Sequence, residues 1–418
     1  MELLANIING FLGIGSVAML PVMICIMGMI FGMKFPRALK SGLLVGIGFI
    51  GLNLVFGNLR TTITPVVNSF VEQGSGFSIV DAGFPGLAAA AWATPFAFVL
   101  VPLIFLLNLL LVRIKFTKTM NVDIWNYWHF LFSGAMVYVL TNSVILGALA
   151  TLGLSVVALK VSDKFAPMWQ KELGIDGTSC TTLFNITGIL PTMLLVNKLI
   201  DKIPKLNKID VSLDKFHEKF KDFGDPTIIG VVVGLVMALM SRQPITTIPA
   251  IAVGVAAAIV LLPRMISLLM EGLNPIAAVV RERVKKQQGE DADIIIGLDS
   301  AVACGANGAV PAALLMIPIA IILAIILPGN RYLPYTLLPA LTYTAGFATI
   351  VSKGNVFRTI ILTSFAVILI VYASTFTAQV VTDTVIYGGL QVEGLINNHT
   401  ATHPFIILMQ FLSNLFGK

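Results

Sequence analysis

Two distant stretches of the chain share one pattern: VDAGFPGLAAAAWATPFAFVLVPLIFLLNLLL at 80–111 and GLDSAVACGANGAVPAALLMIPIAIILAIILPG at 297–329. Each opens near an acid, Asp81 or Asp299, and passes through a Gly/Ala-rich segment. Each then reaches two prolines seven residues apart, Pro95 and Pro102 or Pro311 and Pro318. The apolar runs that follow are long enough to approach the roughly 20 residues that span a bilayer. The Gly/Ala-rich pieces, 81–93 and 299–309, are too short and too broken to do so. Irregular backbone at membrane depth survives only where protein buries it or where it lines a wet cavity. Both pieces therefore read as re-entrant hairpin tips. Ile175–Asn185, IDGTSCTTLFN, is a third candidate, because its hydroxyls and its acid argue against a plain span.

Composition agrees with a bilayer as the solvent. Of 418 residues 57% are hydrophobic and 11% charged, with mean hydropathy +0.92. A soluble globular protein carries about 25% charged residues, and a disordered chain is far less apolar. Three cysteines supply neither a disulfide framework nor a thiolate metal site. The start, MELLANIING, lacks the positive region of a cleavable signal, so the first apolar stretch is expected to be a retained span. Eleven spans are predicted, at 9–32, 41–58, 94–112, 128–158, 184–199, 226–241, 245–262, 310–328, 335–351, 356–377 and 403–416. The 128–158 stretch is long enough for a tilted or a broken helix.

Basic residues collect on the cytoplasmic side of membrane proteins. With the N-terminus outside and the C-terminus inside, 21 of the 27 Lys and Arg fall inside. Arg60, Lys160, Lys164, Lys171, Arg242 and Arg331 remain outside. On that scheme 94–112 and 310–328 run in opposite directions. The expected architecture is an all-α polytopic membrane protein of about eleven helices, in two inverted five-helix repeats with re-entrant hairpins. The first repeat takes 1–199, a basic cytoplasmic loop 200–224, the second repeat 225–380, and an outer loop with the final span 381–418. Inverted repeats are characteristic of carriers that expose a midplane site to each side in turn. Segments 60–76 and 264–286 follow corresponding spans and read as interfacial amphipathic helices.

No nucleotide-binding signature, no metal-ligand spacing and no Ser/His/Asp arrangement is present, and no cofactor is implied. The basic runs are loops between spans, so nucleic acid is not an expected partner. Polar residues at membrane depth are expensive and are functional by default. Asp81 and Asp299 stand at the mouths of the two tips, Trp92 ends the first and Asn307 lies in the second. In NVDIWNYWH (121–129) the spacing puts Asp123, Asn126 and His129 on one helical side. His399 and His403 read as part of an outer polar segment. Carboxylate, amide, imidazole and indole suit a neutral polyol better than an anion. Asp81, Trp92, Asn126, His129, Asp299 and Asn307 are the candidate substrate-binding residues. A secondary transporter in which Asp81, Asp299 or Asp176 carries a proton or sodium ion is the alternative.

At NVDIWNYWH (121–129), LLPRMISLLMEGLNPI (261–276) and IGLDSAVACGANGAVPAALLMIPIAIILAIILPGNRYLP (296–334), the sequence resembles the galactitol-type IIC permeases of the bacterial phosphoenolpyruvate-dependent phosphotransferase system. The resemblance covers essentially the whole chain. It implies a multi-pass permease of the cytoplasmic membrane that takes up a polyol such as galactitol. A separate IIB subunit, recharged by IIA, would phosphorylate the substrate, so the phosphoryl-transfer residues would lie on partner chains. It also implies a homodimer, as in the related ascorbate permeases, whose core slides past a fixed frame. The basic 199–224 loop would dock IIB. The tip ACGANGAV (303–310) departs from the LGHPAV- or LGNPAV-like segment of galactitol permeases, which leaves the choice of polyol open.

Overall fold

A computed structural model describes residues 16–71, 77–92, 94, 96–121, 123–209, 211, 226–288, 294–334, 336–389, 391–392 and 394–416. It is mostly helical. Helices α1 (Ser16–Ile30) and α2 (Phe35–Val71) are followed by strand β1 (Ile79–Asp81), the short α3 (Gly83–Trp92) and α4 (Ala97–Arg113). Then come β2 (Thr119–Asn121), α5 (Trp128–Thr141), α6 (Val144–Leu173), β3 (Thr178–Cys180) and α7 (Leu190–Lys202). The rest of the chain carries α8 (Pro226–Met240), α9 (Ile248–Gln288), β4 (Ile295–Leu298) and α10 (Ala309–Ile326). It closes with α11 (Leu337–Ser352), α12 (Val356–Tyr387), β5 (Leu395–Asn397) and α13 (Pro404–Phe416). Helices α6, α10 and α12 are long and apolar enough to cross a membrane, and shorter apolar helices accompany them. The protein is a polytopic membrane protein.

The structure joins what the sequence divides. The expected span 41–58 and the segment after it form one helix, α2, and 245–262 and 264–286 form another, α9. Arg60 and Arg264 interrupt the apolar composition but not the apolar face. Val55, Leu59, Ile63 and Val66 are buried at helical spacing straight through Arg60. The two long helices run antiparallel, with Ser41 beside Gly272 and Thr62 beside Gly254. A Cβ on Gly272 would stand 2.6 Å from the Ser41 carbonyl oxygen, so the backbones approach this closely only because the residue is glycine. Residues 72–76 of the first amphipathic segment lie outside the described residues.

Conversely, the 128–158 stretch is two helices. Asn142 adopts the left-handed region (φ 53°) and Ser143 caps the Leu146 N–H, so α5 turns back into α6. The same device separates α11 from α12, where Lys353 is left-handed (φ 56°) and Asn355 caps the Arg358 N–H. Helix α6 then continues to Leu173, well beyond the expected span. This corrects the sidedness of Lys160. Its ammonium donates to the Phe116 carbonyl at 2.9 Å, so it shares an end of the molecule with Lys115 and Lys118.

Two small parallel sheets connect distant parts of the chain. In one, β1 pairs with β5 in the register Asp81 to Asn397, and Ile79 also bridges Tyr332. In the other, β4 lies between β2 and β3, with Gly297 opposite both Asn121 and Ser179. Each sheet therefore takes one strand from one half of the chain and its neighbours from the other half. The expected tips are structured: 83–92 is helix α3, and Ser300–Gly305 is a 3₁₀ turn leading into α10. The third candidate becomes β3 followed by a π-turn, Phe184–Ile189.

Candidate functional site

The carboxyl ends of the strands converge on a cavity of about 180 Å³. That volume holds several waters, each of which takes about 30 Å³ in the liquid. β4 delivers Asp299 and Ser300, β3 delivers Thr182, Phe184 and Asn185, and the turn after β2 delivers Asn126, Trp128 and His129. β5 delivers His399 and Thr400 from the other sheet, and α11 adds Ala340, Tyr343 and Thr344. Phe84 of α3 completes the wall.

Asn126 is the hub. Its amide nitrogen donates to Asp123 Oδ2 at 2.6 Å and to Asp299 Oδ2, with Thr182 Oγ1 at 3.3 Å. One amide thus bridges two carboxylates from opposite halves of the chain, Asp123 buried and Asp299 half-buried. Asp299 also accepts from the Ala301 N–H, so it caps the turn it precedes. Thr182 Oγ1 accepts from the Ser300 N–H at 2.9 Å, tying the β3 and β4 ends together. A further layer holds this set. Asn121 Oδ1 accepts from the Asp123 N–H at 3.0 Å and from Thr181 Oγ1 at 3.1 Å. Asn108 Oδ1 accepts from the Asn121 N–H at 2.8 Å. Every acceptor in the chain has a donor, as burial in a low-dielectric interior requires.

The rings form the other face. Trp128 and His129 stack at 3.8 Å between centroids, and Phe184 meets His399 edge to face at 5.9 Å. Behind them Ser133 Oγ lies 3.2 Å from His403 Nε2 and donates to the His129 carbonyl at 2.9 Å. The lining contains hydroxyls, amides, imidazoles, one carboxylate and aromatic faces, and among its described residues no lysine or arginine. An apolar-walled pocket with a few convergent polar groups is the general form of a small-molecule site.

Of the residues expected from sequence, the structure brings Asn126, His129 and Asp299 into one wall. Asp81 is elsewhere. Its carboxylate accepts from the Gly83 N–H at 3.1 Å, from both the N–H and the Oγ1 of Thr336 at 2.8 Å, and from Asn398 Nδ2 at 2.9 Å. It thereby holds the chain just before His399 and Thr400. Asn307 is exposed and outside the cavity lining. The expectation for the Trp92 side chain lies outside the described residues. His399 and His403, expected in an outer polar segment, are both buried. Sequence reasoning missed Thr182, Asn185, Ser300, Tyr343, Thr344, His399 and Thr400 as wall residues. The signal was the density of hydroxyls and amides in TTLFN (181–185) and NNHTATH (397–403) within an apolar chain.

Comparison with known proteins agrees with this architecture. The EIIC-GAT family, described as the PTS system sugar-specific permease component, matches residues 10–393. The galactitol-specific EIIC component of the PTS of Escherichia coli (strain K12) is 34% identical over 361 residues, covering 85% of this chain and 79% of that protein. The corresponding protein of Escherichia coli O157:H7 matches equally. A putative permease IIC component of Escherichia coli (strain K12) is 33% identical over 384 residues, covering 92% of this chain and 87% of that one. The chain belongs to the EIIC-GAT family and is a sugar permease component of the phosphotransferase system.

Proposed function

We propose that this permease component binds a polyol such as galactitol in the cavity at the strand ends and delivers it inward for phosphorylation by a IIB subunit recharged by IIA. The observation that carries the substrate class is the lining itself. Asp299, Asn185, Ser300, Thr344 and Thr400 offer many neutral hydrogen-bonding positions, and Trp128 and Phe184 offer faces for a carbon skeleton. The lack of a lysine or arginine among its described residues disfavours an anionic substrate. Asn126, His129 and Asp299 are the substrate-binding residues in this reading. Asp81 acts by placing His399 and Thr400.

We further propose an inverted-repeat carrier with its N-terminus outside and its C-terminus inside, working as a homodimer. The recurrence of strand, tip, proline-containing helix and tight helical turn in both halves supports it, as does the exchange of strands between the sheets. Helices α2 and α9, packed along their length, suit a fixed frame. Within the proposed IIB dock, Lys205 and Lys208 are exposed, whereas Lys215 lies outside the described residues. The test is a panel of hexitols, pentitols and hexoses in vesicles carrying the chain with cognate IIA and IIB. Phosphoenolpyruvate-dependent appearance of a phosphorylated polyol is expected. Preference for a phosphorylated or carboxylated sugar, or gradient-driven uptake of free sugar without the partners, would overturn the reading.

A further inference from the structure

Most polar side chains in the cavity wall already have partners inside the protein. Both N–H groups of Asn126 go to Asp123 and Asp299, and Thr400 Oγ1 donates to Asn398 Oδ1 at 2.6 Å. Three lining residues stand apart. Asn185, Thr344 and His129 are 4%, 1% and 4% exposed. Among the described residues, no hydrogen bond reaches the Asn185 amide, the Thr344 hydroxyl or the His129 ring nitrogens. Nor are these atoms sealed away. The sealed side-chain atoms without a partner among the described residues are Tyr332 Oη, Thr342 Oγ1 and Ser374 Oγ, and none of those residues lines the cavity. The free groups of Asn185, Thr344 and His129 therefore open on the cavity that these residues line. Such groups are rare in a protein interior, where polar atoms are paired.

Two of these residues forgo the internal partners that similar residues of this chain take. Asn355 and Asn398 use their side-chain oxygens to cap the turns they precede. Asn185 does not. Its N–H donates to the Thr182 carbonyl at 3.1 Å and its carbonyl accepts from the Leu190 N–H, so the π-turn fixes its backbone and leaves the amide free. Single π-turns recur at functional sites. Thr349, Thr359, Thr363 and Thr377 each donate to the carbonyl four residues earlier, at 2.7–3.0 Å. Thr344, on the same helix as Thr349, does not. A carboxamide presents an acceptor oxygen beside two N–H donors. Hydroxyls on neighbouring carbons of a polyol complement that arrangement, one donating to Oδ1 and the other accepting from Nδ2. Inverting either carbon turns one of the two hydroxyls away while the carbon chain keeps its place.

Resting on the polyol reading, we propose that Asn185 is the specificity-determining residue of this site: its amide holds a vicinal pair of substrate hydroxyls, and Thr344 holds a neighbouring one. Recognition of configuration is thereby separated from Asn126, whose donors are committed to Asp123 and Asp299.

The test measures binding of galactitol, sorbitol, mannitol and xylitol to the full chain in detergent by calorimetry, beside its thermal unfolding midpoint without polyol. The parent is expected to prefer one of the four. In Asn185→Leu, affinity for that polyol should fall about thirtyfold, since two neutral hydrogen bonds are worth about fivefold each, and the preference should flatten. The midpoint should hold or rise, because leucine removes an unpartnered amide and leaves no protein group without its partner. Thr344→Val should lose about fivefold and keep the order of preference. An Asn185→Leu chain that keeps the parent's affinity ratios overturns the proposal and leaves the polyol reading standing. So does equal binding of all four by the parent. A lowered midpoint with an equal loss for all four polyols would make Asn185 structural and also overturns it. If the leucine variant does not fold, the smaller Asn185→Ser is judged by the same ratios. A parent that binds none of the four overturns the polyol reading and this proposal with it.

Discussion

At the scale of the residue, Asn126 does what no other side chain in the cavity could replace. It gives one N–H to each of two carboxylates that would otherwise face each other with no donor between them. Asn126→Ala should lower both stability and transport, because unsatisfied buried groups cost about 1–3 kcal/mol. Asn126→Asp should be worse than Ala, since a third carboxylate joins the pair. Thermal unfolding and vesicle phosphorylation check the order, and an Asp variant as active as the parent would refute it. The two motif acids should separate in the same assays. Asp299→Asn is expected to raise KM about tenfold or more with a small change in unfolding midpoint, because a charged hydrogen bond to substrate is worth about 1.5–3 kcal/mol. Asp81→Ala is expected to act chiefly on the midpoint, because Thr336, Asn398 and Gly83 lose their acceptor. Sequence treated Asp81 and Asp299 alike, since local context is all it offers. Apart from the Gly83 N–H, the donors that occupy Asp81 come from residues more than 250 positions away.

At the scale of the element, the helices were legible where composition and face coincide. Spans 226–241, 310–328 and 335–351 fall within about two residues of α8, α10 and α11. They were misread where the two diverge. Arg60 and Arg264 break the hydropathy of α2 and α9, yet the buried stripe passes them. In 128–158 the hydropathy is continuous, and a left-handed asparagine and a capping serine break the helix instead. The antiparallel α2–α9 pair gives a graded prediction. Gly272→Ala meets Ser41 and Val45 backbone atoms, which cannot yield, so a loss of about 1–3 kcal/mol and poor folded yield are expected. Gly51→Ala meets the Met265 sulfur, the far end of a flexible side chain, and should be mild and relieved further by Met265→Ala. Folded yield and thermal midpoint of the three variants check this, and a Gly272→Ala protein as stable as the parent would contradict the close approach.

At the scale of the whole molecule, the meeting of Lys160 with Phe116 adds Lys160, Lys164 and Lys171 to the side that already holds Arg113–Lys118. A shared end for these basic residues is what a cytoplasmic face would require of them. Single variants Lys118→Cys and Lys160→Cys in intact cells should both resist an impermeant thiol reagent and react after permeabilisation. Labelling of the two from opposite faces would contradict the packing of α6 on the α4 turn. The cavity itself was only partly legible, because its walls come from both sheets and the sequence carries no sign of which strands pair.

That pairing has a consequence for biogenesis. β1 emerges from the ribosome early, but its partner β5 occupies Leu395–Asn397, near the end of translation. Until then the early strand can gain at most its bridge to Tyr332, and Asp81 lacks the Asn398 amide. The first half must wait in the bilayer as an open assembly, dependent on the insertion machinery or on lipid for cover. A nascent chain arrested before residue 395 should therefore be a ready substrate for membrane proteases.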